Sequence, residues 1–405
     1  MSAFEAVDMH ILPTFEKRRL SYIEYIHACF GTNKKSLELP HENTIVLEGI
    51  GNFDVDSVKI AVAKAVEANP AVAIKLVGKR NRASWVASNS MPSVRQIHDV
   101  QWDGYSDEGS SFIYDTTLSL RDGVVAELIL VEGEKSFLIF RSLRAVMDDI
   151  GSMHFLEDVF RAIRGEPLKG SNNTIKDTDL MQSLNSTQFK VDTGIQVARL
   201  TGDAQGDEHG DTWRRVSVEG PQIWLIPRIA VALAEFSRHY SDDQVLISVP
   251  VDMRRHREEL RSTMNFRAMS FVQVSEDDSA TDFHKNLQKM LSTNSEAYYM
   301  NELDWLRYLP FSWLELFFCR THKNYRDKPI FETAMVSEMN GYKSADLSSD
   351  TFKAKHLYGI PLTGNAYSFV SSMDNRIDIT IGMPKVYANN GRMDRLLDHL
   401  MTILR

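Results

Sequence analysis

The chain has 405 residues, which is too long for one ordinary hydrophobic core and suits two domains of roughly 150 to 200 residues each. Apolar residues make up 43% and charged residues 25% of the sequence, as in ordinary globular proteins. The net charge of -9 leaves no broad basic field that could follow a phosphate backbone, which argues against nucleic acid as a partner but leaves local basic patches open.

Strand and helix patterns alternate along the first half of the chain. Predicted strands cover residues 44–50, 71–77, 124–131 and 136–142. Asp54 begins a helix with apolar residues at helical spacing, and Asn69-Pro70 ends it. After the last of these strands, apolar residues between Phe155 and Ile163 form the stripe of a second amphipathic helix.

A change of composition separates this half from the next. Residues 165–212 lose periodicity and are rich in Gly, Asn, Thr, Asp and Ser, which indicates an inter-domain connection or a long surface excursion. We therefore predict an N-terminal lobe at 1–170, a linker or excursion at 171–212 and a C-terminal lobe at 213–405.

The second half repeats the alternation. Predicted strands cover residues 213–218, 244–251, 266–274, 366–371 and 377–382, the last two joined by a turn at Asp374-Asn375. Predicted helices cover residues 223–236, 280–296 and 303–320, and a terminal helix carries apolar residues on one face from Met393 to Leu404. Without heptads or short repeats, this pattern predicts an α/β fold built twice.

Cysteine content and hydropathy indicate the compartment. Cys29 and Cys319 are too few for a disulfide framework and fit a reducing cytosol, where both are expected as small buried apolar residues. Charged residues interrupt the apolar residues of 1–30, and no stretch approaches the roughly 20 apolar residues of a membrane span. We expect a soluble, cytoplasmic protein.

The most informative segment reads LRAVMDD, residues 143–149, and lies between the predicted strand 136–142 and the following helix. It resembles the catalytic motif of the condensation-domain and CoA-dependent acyltransferase superfamily, whose signature is His-His-x-x-x-Asp-Gly. Leu143 and Arg144 occupy the two His positions and Asp149 the Gly position, while Asp148 matches the Asp.

Two later segments extend the resemblance over nearly the whole chain. SVPVDMRRH at 248–256, followed by LRSTMNF at 260–266, resembles the second-lobe segment Val-Pro-Val-Asp-Leu-Arg with its downstream Asn. Residues 367–380 resemble the last hairpin of standalone members. The resemblance implies two chloramphenicol-acetyltransferase-like lobes with an active site in a tunnel between them.

The resemblance also implies residue roles. In active members the second His acts as a general base or positions the nucleophile, and the Asp bridges to an Arg of the second lobe. Arg144 thus stands at the catalytic position, Asp148 at the structural one, and Arg254 is the expected bridging residue. Leu143, His256 and Ser371 are candidate substrate-binding or structural residues.

Arg144 cannot act as a base, because a guanidinium has a pKa above about 12 and only donates hydrogen bonds. It could bind a carboxylate or phosphate, or stabilise an oxyanion that develops during acyl transfer. The alternative is an ion pair with Asp148 or Asp149 that fills the site. Asp149 itself is either a working acid or base, or a helix-capping or surface carboxylate.

Other candidates are less specific. His154 should project almost opposite the buried stripe of its helix, and His256 and His356 are comparable alternatives for a base. An aromatic run could line an acyl tunnel or pack in a core. Its members are Tyr298, Tyr299, Trp305, Tyr308, Phe311, Trp313, Phe317 and Phe318.

The leading function is a condensation-like acyltransferase of secondary metabolism. It would join an acyl thioester, carried by CoA or by the phosphopantetheine of an acyl or peptidyl carrier protein, to a small-molecule amine or alcohol. Neither a permanently bound cofactor nor a metal is expected, since no His-Glu-x-x-His or paired CxxC motif occurs. The alternatives are an inactive scaffold that binds a carrier protein or partner enzyme, and a tunnel enzyme with altered chemistry such as cyclisation.

Overall fold

Two large β-sheets organise the molecule, one of five strands and one of six. The computed structural model describes residues 15–31, 41–171, 175–187, 196–220, 223–298, 301–314, 316, 330–362 and 364–404. We call the five-stranded sheet with its helices the first lobe, and the six-stranded sheet with its helices the second lobe.

The strands and helices follow each other in the alternation that the sequence predicts. The strands are β1 (Arg18–Arg19), β2 (Glu42–Gly51), β3 (Ile74–Val77), β4 (Ser84–Ala87), β5 (Ser93–His98), β6 (Ala126–Glu132), β7 (Ser136–Leu143), β8 (Asp211–Glu219), β9 (Val245–Asp252), β10 (Arg267–Val274), β11 (Ala334–Tyr342), β12 (Phe352–Gly359), β13 (Tyr367–Met373) and β14 (Arg376–Pro384). The helices are α1 (Tyr22–Gly31), α2 (Val55–Ala68), α3 (Asp149–Ile163), α4 (Asp177–Ser183), α5 (Leu225–Arg238), α6 (Ala280–Ser292), α7 (Lys385–Ala388) and α8 (Arg392–Leu404).

The sheet of the first lobe has the strand order β12-β2-β7-β6-β5. All eight residues of β7 are buried, because apolar layers cover both faces of the strand. Leu138 and Phe140 face the core beneath α2 and α3, whereas Phe137 and Ile139 face a second cluster around Trp102. This double burial explains why β6 and β7 have nearly continuous apolar sequences.

β12 crosses the lobe boundary that the sequence predicts at residues 171–212. It comes from the second half of the chain but pairs antiparallel with β2, with Tyr358 opposite Val46. The sequence analysis predicts neither β12 nor β11, which runs parallel to β13 in the other sheet. Exposed and buried residues alternate only at the beginning of β12, which weakens its pattern.

The sheet of the second lobe has the strand order β10-β9-β11-β13-β14-β8. Ile247 of β9 and Ile379 of β14 pack in a core that includes apolar residues of α5, α6 and α8. The predicted turn at Asp374-Asn375 joins β13 to β14, and Asp374 has a positive φ of 54°. Such backbone is typical of two-residue hairpins, and Asp tolerates it better than most residues.

Two predicted elements differ from the structure. The predicted strand 71–77 opens with a 3-10 helix at Pro70–Val72, because Pro70 favours a helical first turn, and β3 begins only at Ile74. The predicted helix 303–320 overlaps the 3-10 helix Asn301–Tyr308 and includes a helical turn at 311–314, and its end lies outside the described residues.

The aromatic run does not form one group. Trp305, Tyr308 and Trp313 expose more than half of their surface, so they neither pack in the core nor line an enclosed tunnel. Phe311 stacks on Tyr25 at 4.5 Å between ring centroids. Tyr299, Phe317, Phe318 and also Cys319 lie outside the described residues.

The described helices give no candidate membrane span, since none combines sufficient length with sufficient apolar character. Cys29 is buried, as expected from the sequence.

Candidate active site between the lobes

The motif LRAVMDD occupies the turn between β7 and α3. Leu143 is the last residue of β7 and is buried in the apolar core, so its side chain is structural. Asp148 is the N-cap of α3, and its Oδ1 accepts a hydrogen bond from the backbone N–H of Gly151 at 2.6 Å. A carboxylate is favourable there because the first N–H groups of a helix lack intrahelical partners.

Asp148 joins the two lobes. Nη1 of Arg254 donates to its Oδ2 at 3.0 Å, and Nη2 donates to its Oδ1 at 3.1 Å. The backbone N–H of Phe266 also donates to Oδ2 at 2.7 Å. The carboxylate and the guanidinium are both buried, so the structure brings together the two residues that the resemblance pairs.

Asp149 forms a second pair across the lobes. Nε of Arg267 donates to its Oδ1 at 2.7 Å, and Nη2 donates to its Oδ2 at 2.6 Å. Burial opposes ionisation of this carboxyl, but the guanidinium of Arg267 holds the pKa of Asp149 below its ordinary value. Asp149 is therefore an ionised carboxylate engaged by Arg267, which corrects its prediction as a helix cap or surface residue.

Arg144 pairs with neither aspartate, which corrects the alternative of an Arg144 ion pair that fills the site. Its Nε donates to the backbone oxygen of Glu42 at 3.0 Å, and its backbone N–H donates to the oxygen of His41 at 3.2 Å. Within the described ranges, Nη1 and Nη2 form no hydrogen bond and no carboxylate lies within ion-pair distance. The charge is thus held in place by backbone contacts without being neutralised.

A pair of histidines, His27 and His41, lies close to Arg144. Nδ1 of His27 on α1 is 2.8 Å from Nε2 of His41, the residue just before β2. Burial and the positive charge of Arg144 lower the pKa of His27 to about 4. The sequence analysis misses this pair, because no spacing relates a histidine on a helix to one in a loop 14 residues later.

The second lobe contributes polar groups to the same region. Met335 of β11 lies opposite Ser248 of β9 and Tyr367 of β13, so these side chains share a face of the sheet. Burial raises the pKa of Tyr367, and the positive charge of Arg144 opposes that rise. The hydroxyl of Ser248 is fully buried and has no hydrogen-bond partner among the residues described.

The other candidate residues form separate contacts. Nε2 of His256 is 2.9 Å from Oε1 of Glu296, and Nδ1 of His356 is 2.9 Å from Oδ1 of Asp378. Ser371 donates its hydroxyl proton to the backbone oxygen of Leu357. None of these three side chains contacts Arg144 in the described part of the chain, and each has a structural partner.

His154 lies on α3 outside its apolar stripe, and its side chain contacts the second lobe. Its Nδ1 is 3.2 Å from the backbone oxygen of Ser262 in the second lobe. Burial and the charges of Arg254 and Arg261 lower the pKa of His154 to about 4. The side of α3 that carries His154 is partly buried because the second lobe covers it, which the sequence pattern of the helix alone does not indicate.

Gly151 lies where α3 packs closely against the second lobe. A Cβ atom at this position would lie 2.2 Å from the backbone oxygen of Thr263. We expect Gly151→Ala to destabilise the protein by about 1–3 kcal/mol, since backbone must shift to admit the methyl group. Urea unfolding measures this loss, and Gly133→Ala is the control, because the nearest atom to its added Cβ is 3.5 Å away. An unchanged midpoint for Gly151→Ala would contradict the close packing.

Charge complementarity relates the lobes. Carboxylates of the first lobe contact arginines of the second, and among the described residues five such pairs have contacts of 2.6–3.0 Å. The pairs are Glu48 with Arg215, Asp107 with Arg214, Asp148 with Arg254, Asp149 with Arg267 and Asp158 with Arg261.

Solved structures with this architecture cover nearly the whole chain, whereas no protein-family model and no curated protein matches its sequence. The condensation domain of the Monacolin K polyketide synthase MokA superposes with a TM-score of 0.64 at 11% identity, covering 96% of this chain and 97% of that chain. A variant of the starter condensation domain of rhizomide synthetase RzmA, in complex with C8-CoA and Leu-SNAC, gives 0.65 at 10% identity and covers 96% and 94%.

Polyketide synthase associated protein 5 from Mycobacterium tuberculosis is similar to the same extent, with a TM-score of 0.62, 12% identity and 96% coverage of both chains. At these identities the similarity establishes the architecture. The protein therefore has the α/β fold of condensation domains, with two chloramphenicol-acetyltransferase-like lobes.

Proposed function

We propose that the protein is a condensation-like acyltransferase of secondary metabolism. It transfers an acyl group from a thioester, carried by CoA or by a carrier protein, to a small-molecule amine or alcohol in a tunnel between the lobes. The fold supports this proposal, as does the RzmA neighbour, whose structure contains C8-CoA and Leu-SNAC. The observation that carries it is the inter-lobe bridge of Asp148 and Arg254, which holds the motif turn in place without the histidines.

Arg144 binds the negative charge of the reaction. Its guanidinium is fixed through Nε, and its two terminal nitrogens can donate to a substrate carboxylate or phosphate, or to the oxyanion of the tetrahedral intermediate. Such donors accelerate acyl transfer when they lie where negative charge develops. Holding both substrates in line lowers the barrier further.

We expect Arg144→Ala to reduce kcat about 100- to 1,000-fold, the effect of removing one oxyanion donor. The assay combines octanoyl-CoA, other acyl-CoAs or an acylated carrier protein with a panel of amines and alcohols, and detects acylated products by mass spectrometry. Arg144→Lys should keep part of the rate, since lysine retains the positive charge but lacks the planar guanidinium with its paired N–H donors. Arg376→Ala is the control, because Arg376 forms a partly exposed pair with Glu219.

Undiminished turnover by Arg144→Ala would refute this role. A binding scaffold for a carrier protein is the second candidate, because both histidines of the motif are absent. It predicts that an acylated carrier protein binds without turnover, which intact-protein mass spectrometry and a binding titration distinguish from catalysis.

A further inference from the structure

The proposed acyltransferase lacks a proton acceptor at the motif position, because Arg144 only donates. The amine or alcohol that receives the acyl group must lose a proton when its nitrogen or oxygen attacks the thioester carbonyl. Asp149 is engaged by Arg267 through both carboxylate oxygens, and Asp148 is engaged by Arg254 in the same way. Neither aspartate is therefore suited to accept that proton.

We propose that His27 is the general base of this site and that His41 orients it. This inference rests on the proposed function. The ring nitrogens Nδ1 of His27 and Nε2 of His41 are 2.8 Å apart, with the rings inclined by 19°. If Nδ1 of His27 donates to His41, Nε2 of His27 is left unprotonated, as in a nucleophile–base–orienter arrangement.

The position of the pair fits this role. The backbone oxygen of His41 accepts the N–H of Arg144, so the histidine pair and the cation are fixed to the same short segment. His27 is partly buried, and its Nε2 forms no hydrogen bond within the part of the chain that is described. A base and an anion-binding group are thereby held beside one another.

Burial and the charge of Arg144 together keep His27 neutral. Burial and this positive charge lower the pKa of His27 to about 4, so the imidazole is neutral and able to accept a proton at neutral pH. An anionic substrate group bound to Arg144 would offset that charge and raise the pKa of His27, while the effect of burial would remain. The base would then become stronger when the substrate is in place.

The proposed step is balanced in atoms and charge. Nε2 of His27 takes the proton as the amine or hydroxyl of the acceptor forms a bond to the thioester carbon. The tetrahedral intermediate then collapses, the carbon–sulfur bond breaks, and the departing thiolate takes the proton from His27. The products are an amide or ester and a free thiol, and no oxidant or further reactant is needed.

The test measures product formation by His27→Ala and His27→Gln with the panel of acyl-CoAs, acylated carrier protein and acceptors described above. We expect kcat to fall about 100- to 10,000-fold, the usual contribution of a general base, with a melting temperature near that of the wild type. The glutamine variant retains much of the shape if alanine fails to fold. His98→Ala is the control, since its side chain is 59% exposed.

A second readout does not depend on turnover. NMR titration should show that His27 stays neutral at pH 6, and that Arg144→Ala raises its pKa. His41→Ala should change the tautomer of His27, which a merely structural role of His41 would not do. A wild-type kcat in both His27 variants, or a protonated His27 at pH 6, would overturn this inference alone. Absence of turnover by the wild-type protein with every substrate would overturn it together with the proposed function.

Discussion

Replacing Asp148 by alanine should lower the free energy of unfolding by about 3–5 kcal/mol, because it leaves the charge of Arg254 buried beside only one remaining carboxylate. That carboxylate, Asp252, is 2.7 Å from Nη1 of Arg254 and is more exposed than Asp148. The substitution also removes the N-cap of α3, which usually contributes about 1 kcal/mol. Marginal stability makes this loss a large fraction of the total.

Urea unfolding followed by fluorescence measures the Asp148 effect. The control is Asp56→Ala, since the Asp56 side chain is 86% exposed and its pair with Lys59 contributes little. Asp148→Asn separates charge from shape, because the amide keeps the size of the side chain. A midpoint within error of the wild type for Asp148→Ala would show that Asp252 alone compensates Arg254.

Glu48→Gln should destabilise the protein by a similar amount, about 3–5 kcal/mol, because it leaves buried Arg215 with only the more distant carboxylate of Asp378, whose Oδ1 is 3.9 Å from Nη1 of Arg215. Nη2 of Arg215 donates to Oε2 of Glu48 at 2.6 Å. The guanidinium lies between the rings of Tyr105 and Tyr358, at 4.4 Å and 4.1 Å from their centroids. Its side chain is fully buried, so water cannot replace the lost carboxylate.

A double-mutant cycle tests the coupling between these residues. Arg215→Met combined with Glu48→Leu should be closer to the wild type than the sum of the single substitutions, since the double substitution removes both buried charges of this pair. Glu219→Gln is the control, because Glu219 is 79% exposed in its pair with Arg376. Additive effects would mean that Glu48 does not compensate Arg215.

The sequence predicts the order of most strands and helices, because their apolar periodicity is local. The runs that became β6 and β7, the cap at Asp54 and the turn at Asp374 each depend on neighbouring residues. The pairing of β12 with β2 joins segments about 300 residues apart, and no local pattern records such a partner.

Some residues of the candidate site could be identified from the sequence, and others only from the structure. The resemblance of segment 143–149 to the family motif singled out Arg144 and Asp148, and the same resemblance supplied Arg254 as a partner. Arg267 was missed because an arginine at the start of a strand has no distinctive spacing. The pair of His27 and His41 was missed for the same reason.

The sequence by itself determined the alternation of strands and helices and the resemblance to a two-lobed superfamily. It also determined that Arg144, a permanent cation, occupies the position of the superfamily's second motif histidine. Only the tertiary structure decided what surrounds that cation, because each partner comes from a distant segment. Both aspartates are engaged by arginines of the second lobe, while Arg144 is held by backbone oxygens beside the pair of His27 and His41. Burial and charge pairing act through space, and they therefore appear only when the lobes come together.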